Sequence, residues 1–338
     1  MKKLSVAWSG ICATKHRIST DWQLSEFANK YGMGIVPIED SGRFGHVEIN
    51  YSPFRTPKNL RGIAQNRTVL LALEPQAVLP IQHRNQVRQK FGIVLVTSPL
   101  QRTLPSDEYF DFGLVGETPG SGIRAWGLRA NSVALLNANK ISWVAGNNYG
   151  LRRNVVRIIA RNGLQVHIGG QGWDNSILSE LKMNLVSLVS CVMQGEVPAI
   201  GTYSLPLMEK TGSRVIFHGE VGDAIEFLQK HRFCLVIEND SRYVSEKLFQ
   251  AISAGCIPLY IGPRLSDFGL PSGLVIHISA DNRNTLADAL SNLEAQRETR
   301  ETGRRFLADN QQMLYWSHRS GIDRFFQRVS FYLNQQPH

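Results

Sequence analysis

The sequence predicts an α/β protein built from two successive strand–helix series, each forming a mostly parallel sheet. Three observations carry this. Short apolar runs of strand length, at residues 68–73, 92–97 and 233–237, alternate with stretches of helical apolar spacing. Those runs are almost continuously apolar, as strands buried on both faces are. The alternation begins again after a turn-rich stretch at 99–130, and 338 residues suit two domains of ordinary size.

In the first series, residues 4–8 read as a strand and 21–31 as a helix with Leu24, Phe27 and Ala28 at apolar spacing. Residues 34–38 read as a second strand. Residues 39–61, rich in Gly, Pro and polar side chains, read as loop with an extended piece at 47–51. The strand at 68–73 ends in Glu74-Pro75. A polar stretch holding Arg84, Val87 and Arg88 reads as helical, and 92–97 as the next strand.

In the second series, 142–145 reads as a strand and 149–162 as a basic helix with Val155, Ile158 and Ile159 inward. A strand at 164–168 ends in Gly169-Gly170-Gln171-Gly172-Trp173. A long helix at 177–194, a strand at 215–217 and a helix at 221–231 follow. The remaining strands are 233–237, 257–261 and 274–278, with helices at 242–254, 285–296 and beyond 301. The C-terminal segment, with Phe325, Phe326 and Phe331, is helical and apolar on one side. Two such series imply two Rossmann-like domains facing across a cleft. The first spans 1–138, and the second spans 139–338 with the C-terminal helices, the last of them able to cross back to the first domain.

The net charge of +9 suits an anionic partner. The basic residues are dispersed, with no helix-turn-helix, zinc-finger or aromatic-interleaved basic run, which argues against nucleic acid. A nucleotide-bearing substrate, with attraction to anionic lipid heads at a membrane periphery, accounts for the sign. No uninterrupted apolar run is long enough to span a bilayer. The first twelve residues faintly resemble a signal peptide. Their apolar part is short and Lys15, His16 and Arg17 follow at once, so a first strand and a cytoplasmic location are expected. Cys12, Cys191, Cys234 and Cys256 show neither CxxC nor metal spacing and read as structural thiols.

Residues 233–262 organise the chain as strand, polar turn, helix and strand. Asp240 or Ser241 is placed to cap the helix, and Gly255 to end it. Val244, Leu248, Ala251 and Ile252 form one face of that helix; Tyr243, Glu246, Lys247 and Gln250 form the other. A hydroxyl, a carboxylate and an ammonium thus stand beyond the C-terminal end of a strand. Open α/β sheets bind ligands there, and helix N-termini favour anions. An ordinary amphipathic helix with an exposed charge pair is the plainer alternative.

Other candidates are weaker. Backbone amides at Gly170 and Gly172 could approach a phosphate, but the spacing is not G-x-G-x-x-G and a tight turn explains the glycines equally. Trp173 is either core or a platform for a base or sugar. Glu74, at a strand end before Pro75, is either a general base or a solvated loop carboxylate. No Asp-x-Asp follows a strand and no His/Asp/Glu cluster has metal spacing, so no metal is expected. A diphosphate would then rely on Lys247, Arg214, Arg152 and Arg153. No G-x-S-x-G elbow supports a hydrolase.

The organising stretch resembles the donor-binding motif of the α1,3/4-fucosyltransferases, glycosyltransferase family 10. The resemblance rests on Phe233, then Ile237-Glu238-Asn239-Asp240, then Tyr243-Val244-Ser245-Glu246-Lys247, then Ile257-Pro258-Leu259-Tyr260-Ile261-Gly262. Ser245 stands for the usual Thr, Ile237 for Phe and Asp240 for Ser. Upstream, Arg67 to Pro75 is similar to the family strand that ends in its proposed catalytic Glu. Trp143 to Asn148, followed by Arg152-Arg153, is similar to the start of its second domain. Gly212-Ser213-Arg214 stands where the family carries a diphosphate-binding Arg, after an apparent insertion at 174–211. The first sixty or so residues match nothing specific.

The resemblance implies a GT-B fold and inverting transfer of L-fucose from GDP-fucose to a hydroxyl of a surface glycan, with no tightly bound cofactor. Glu74 would be the base. Lys247 and Arg214 would meet the diphosphate charge. Glu246 and Tyr243 would hold fucose or ribose hydroxyls, with Glu238 and Asn239 beside them. The alternatives are a GT-B transferase using another nucleotide sugar, or an inactive glycan- or nucleotide-binding protein.

Overall fold

The computed structural model describes residues 4–10, 24–36, 45–49, 51, 63–110, 122–173, 177–199, 214–279 and 283–336. The readings that fall on 11–23, 37–44, 52–62, 111–121, 174–176 and 200–213, Cys12 and Gly212-Ser213 among them, lie outside the described residues. The chain forms two compact units. One comprises residues 1–114 and 314–338, the other 115–313.

The first unit contains β1 (Leu4–Gly10), α1 (Leu24–Lys30), β2 (Met33–Val36), β3 (Gly45–Ile49), β4 (Thr68–Ala72), α2 (Asn85–Arg88), β5 (Ile93–Val96) and β6 (Asp107–Tyr109). Its six strands are parallel in the order β2-β1-β3-β4-β5-β6. Alternate side chains serve opposite faces, as the two-residue period of a strand dictates. Val69, Leu71, Ile93 and Leu95 join one core with Phe27 and Ala28, whereas Leu70, Ala72, Val94 and Val96 join another with Val87 and Phe91.

The second unit contains β7 (Ala130–Leu136), α3 (Tyr149–Arg161), β8 (Val166–Gly169), α4 (Ile177–Met193), β9 (Val215–Gly219), α5 (Ala224–Leu228) and β10 (His231–Ile237). α6 (Glu246–Ser253), β11 (Ile257–Ile261), β12 (Ile276–His277), α7 (Arg283–Ser291) and α8 (Leu293–Ala308) complete it. The parallel sheet runs β12-β11-β10-β7-β8-β9. Counted from β7, this is the doubly wound order 3-2-1-4-5-6, whose direction reverses between β7 and β10.

Two expectations are corrected, and one left open is settled. The strand expected at 142–145 is a loop; the strand that opens the second series is β7, which starts where the stretch read as connection ends. Because β7 pairs with β10 and β8, the division falls at 114/115 and not at 138/139. The last helix, α10 (His318–Asn334), following α9 (Asn310–Trp316), belongs to the first unit. Its Ile322, Phe325, Phe326, Val329 and Leu333 pack into the core of β3, β4 and β5.

Candidate functional site

The site of the second unit forms where its strand order reverses, beyond the C-terminal ends of β7 and β10. Two loops meet there. Asn147 makes an antiparallel bridge to Asp240, and the Asn148 amide donates to the Asn239 carbonyl at 3.1 Å. Asn147 shapes its own loop. Its side-chain amide donates to the carbonyls of Ser142 and Val144 at 3.1 and 2.6 Å, and its Oδ1 accepts from the Tyr149 amide.

After β10 the chain turns at Asp240, not into a helix. Asp240 Oδ1 accepts from the Arg242 amide at 2.9 Å, and its carboxylate pairs with the Arg242 guanidinium at 3.0 Å. This turn delays the helix. α6 begins at Glu246 with Ser245 at its N-cap, so Asp240 and Ser241 are not its caps. Tyr243 therefore lies in the extended lead-in and not on the helical face shared by Glu246 and Lys247. Those two pair through Lys247 Nζ and Glu246 Oε1 at 2.8 Å, at the N-terminal end of an eight-residue helix.

Glu238 lies behind this rim, only 1% exposed. Its Oε1 accepts from the Ser245 amide at 3.0 Å. Burial pushes its carboxyl up to about 7; the Ser245 amide and hydroxyl and the Lys247 charge pull the other way. Its second oxygen and the Tyr260 hydroxyl are both buried without a hydrogen-bond partner among the described residues. Gly262 makes room for them: a Cβ there would lie 2.4 Å from the Tyr260 hydroxyl and 2.8 Å from Glu238 Cγ. Burial, and then the Glu238 carboxylate, raise the Tyr260 pKa.

The four cationic candidates part company. Arg152, 2% exposed, donates to Asn239 Oδ1 at 2.5 Å, and its guanidinium stands 4.6 Å from the Tyr149 ring centroid. It therefore joins Glu238 and Asn239. Arg153 is held by Asn139 Oδ1 at 2.8 Å and lies 3.7 Å from Glu180. Arg214 precedes β9 and donates to the Ala160 carbonyl at 3.2 Å, which places it at the N-terminal edge of the sheet. A strand of five residues spans about 16 Å, so Arg214 is not gathered with Glu238 and Lys247.

The glycine turn is committed to packing. Gly170 has φ +131°, and a Cβ there would lie 2.3 Å from the Asn137 carbonyl oxygen. Its amide donates to the Gly219 carbonyl at 2.6 Å. The Gly172 carbonyl accepts from Asn139 Nδ2 at 2.7 Å. Trp173 is core: it is 5% exposed, and its indole donates to the Asn137 carbonyl at 2.6 Å.

Glu74 follows β4 in the first unit, partly exposed at the C-terminal end of its sheet. A buried polar chain fixes its backbone. The Glu74 carbonyl accepts from Gln82 Nε2 at 2.7 Å and lies 2.9 Å from His83 Nε2. His83 Nδ1 is 2.7 Å from Arg88 Nη2. Arginine can only donate, so Nδ1 accepts and Nε2 carries the proton offered to Glu74. Arg88 is itself fully buried and paired with Asp107. The polar chain of Gln82, His83 and Arg88 shows in the sequence only as part of a polar stretch with helical character. The extended piece expected at 47–51 is β3, two residues earlier, and its buried His46 and Glu48, with Nε2 and Oε2 3.3 Å apart, carry no sequence signal.

Among the described residues, no group of three or more His, Cys, Asp or Glu could hold a metal. Cys191, Cys234 and Cys256 are buried free thiols. No described helix is long and apolar enough to cross a membrane.

No family model matches the chain. A fucosyltransferase-like protein of Arabidopsis thaliana is 37% identical over 59 residues, 17% of this chain and 12% of that relative's length. The whole fold matches solved glycosyltransferases. An α1,3-fucosyltransferase crystallised with GDP superposes with a TM-score of 0.54 at 13% identity, covering 97% of this chain and 90% of that one. A glycosyltransferase from Rickettsia africae gives 0.55 at 10%, covering 99% and 100%. Anabaena HepE, in complex with UDP-glucose, gives 0.53 at 11%, covering 98% and 99%. The fold is the GT-B type of these glycosyltransferases, with two Rossmann-like units.

Proposed function

We propose that the protein is an inverting glycosyltransferase that moves L-fucose from GDP-fucose to a hydroxyl of a surface glycan. The observation that carries this is the grouping of Glu238, Asn239, Arg152, Glu246 and Lys247 at the strand-order reversal of a GT-B donor-side sheet. A fold likeness to an α1,3-fucosyltransferase that was also crystallised with GDP-fucose supports the donor.

In this reading Glu74 takes the proton of the acceptor hydroxyl. The hydroxyl oxygen attacks the anomeric carbon in line, and the bond from that carbon to the diphosphate oxygen breaks with its electron pair. General-base help of this kind gives roughly 10²–10⁴ in rate. Lys247 meets the growing charge on GDP, a fixed electrostatic role worth most in a dry site. Glu246 pairs with that lysine at 2.8 Å, and donor hydroxyls would turn its carboxylate away. Arg152 adds a buried positive charge and orients Asn239, taking the part that sequence assigned to Arg214. Tyr243 would reach ribose or fucose from the lead-in to α6. Glu74 belongs to the other unit, so the reading requires the acceptor's unit to present it to the donor. We place the reaction in the cytoplasm beside a membrane surface, in keeping with the net charge of +9.

A second reading, transfer from another nucleotide sugar, is favoured by the comparable likeness to a UDP-glucose complex. Transfer of labelled sugar from GDP-fucose, GDP-mannose and UDP-glucose to an oligosaccharide panel separates the two. Label from GDP-fucose alone is expected in product, and Glu74→Ala is expected to lower turnover about 10²–10⁴-fold. Label from UDP-glucose alone would replace the first reading by the second.

A further inference from the structure

The N-terminal edge of the second unit's sheet holds a cavity of about 230 Å³, between the 122–129 stretch and α8. β10 separates it from Glu238 by seven residues, or about 23 Å. Its walls are unusually cationic. Arg124, Arg129, Arg300 and Arg304 line it around Trp126. The guanidinium of Arg300 lies 3.9 Å from the Trp126 ring centroid; Arg232 and Arg129 lie at 5.5 and 5.9 Å.

The positive charge is poorly compensated. Arg129 is 4% exposed, yet its guanidinium donates to the Arg124 carbonyl at 3.0 and 2.9 Å and to the His231 carbonyl at 3.4 Å, with the Cys256 sulfur at 3.9 Å. All of these partners are neutral. Arg232 Nε is buried with no hydrogen-bond partner among the described residues. Among the described residues, Glu301 pairs with Arg304 at 3.6 Å, and both side chains are mostly exposed. Gly255, at φ +70°, keeps the wall thin: a Cβ there would lie 2.9 Å from Arg129 Nη2. Burial lowers the pKa of Arg129 and of Arg300, and neighbouring arginines add to both effects.

Cation–π contact with one indole gives about 0.5–2 kcal/mol per cation and leaves the net charge in place. A bound anion would remove the repulsion. Several guanidinium forks around one small cavity match tetrahedral oxyanions, which accept paired N–H donors. A phosphomonoester carries about −1.5 to −2 at pH 7, closer to the surplus than a carboxylate does. We propose that this cavity binds a phosphate group carried on a molecule of about monosaccharide size. The phosphate would be a monoester, of a free sugar phosphate or of a lipid whose headgroup is a phosphomonoester, as in phosphatidic acid. The site is independent of the donor assignment.

The test uses the full chain and follows tryptophan fluorescence during titration with glucose 1-phosphate, and separately with vesicles containing phosphatidic acid against phosphatidylcholine vesicles. Saturable binding of at least one phosphate probe is expected. It should weaken at least about tenfold in an Arg300→Gln/Arg304→Gln double variant, and the signal should vanish in Trp126→Phe. Unchanged melting of the double variant would show that its fold survives. Response to the sugar phosphate alone assigns a soluble ligand, and response to the anionic vesicles assigns a headgroup; either supports the site. Binding of neither probe, or equal binding by the double variant, would overturn it.

Discussion

At the scale of single residues, Glu238 carries a consequence for pH. Its folded pKa of about 7 stands above the ordinary value of 4.5, so the folded chain holds that proton longer than the unfolded chain. Stability should therefore fall as pH rises from about 4.5 to about 7, by an amount of the order of 3 kcal/mol from this group. Glu238→Gln should flatten that slope, as read by urea denaturation at a series of pH values. A slope of the same size in the variant would remove Glu238 as its source. Arg88 invites a second test. Arg88→Met removes the counter-charge of the buried Asp107, which keeps the Thr103 and Leu104 amides, a change that costs up to about 3–5 kcal/mol, and it loosens the His83 support of Glu74. Thermal denaturation should show the loss. The positions of Glu74 and Lys247 beyond strand ends were legible in sequence, because each follows a strand that local pattern reveals. Arg153 was not separable from Arg152: neighbours in a helix point about 100° apart, and only packing shows which one meets Asn239. Arg214 could have been demoted from sequence alone, since a residue before a parallel strand lies at the opposite end from residues that follow one.

At the scale of elements, strand–turn–helix–strand at 233–262 was legible, but the start of its helix was not. The Asp240 side chain closes a local turn with the Arg242 amide, and this competes with helix initiation. β7 was missed because the exposed polar start of Ala130–Leu136 follows a turn-rich stretch, which hid its buried second half. The glycine turn makes a separate claim. Gly170→Ala forces a Cβ toward the Asn137 carbonyl at a φ of +131°, and a cost above about 1–3 kcal/mol is expected. Because the Gly170 amide is already engaged with Gly219, the variant should lose stability without a specific loss of GDP affinity. A variant of wild-type stability that loses GDP alone would restore the glycine turn as a phosphate cradle.

At the scale of the molecule, two α/β series were legible from alternating periodicity, and the apolar C-terminal segment was visible as helix. Its destination was not, because chain order does not tell which sheet a terminal helix covers. α10 places Phe325 and Phe326 fully inside the first unit's core, far in sequence from the strands they cover. Phe325→Ala should cost about 3–5 kcal/mol. Hydrogen exchange should accelerate in β4 and β5 more than in β10 and β11; equal acceleration in both sheets would contradict separate cores. The central claim concerns the donor grip at Glu238, Asn239 and Lys247, and calorimetric titration of GDP into the wild-type and Lys247→Ala chains tests it most directly. Binding by the wild type, with UDP weaker, and a loss of about tenfold or more in the variant are expected, the scale of a charge-assisted contact. Wild-type preference for UDP, or GDP affinity in Lys247→Ala equal to that of the wild type, would contradict it.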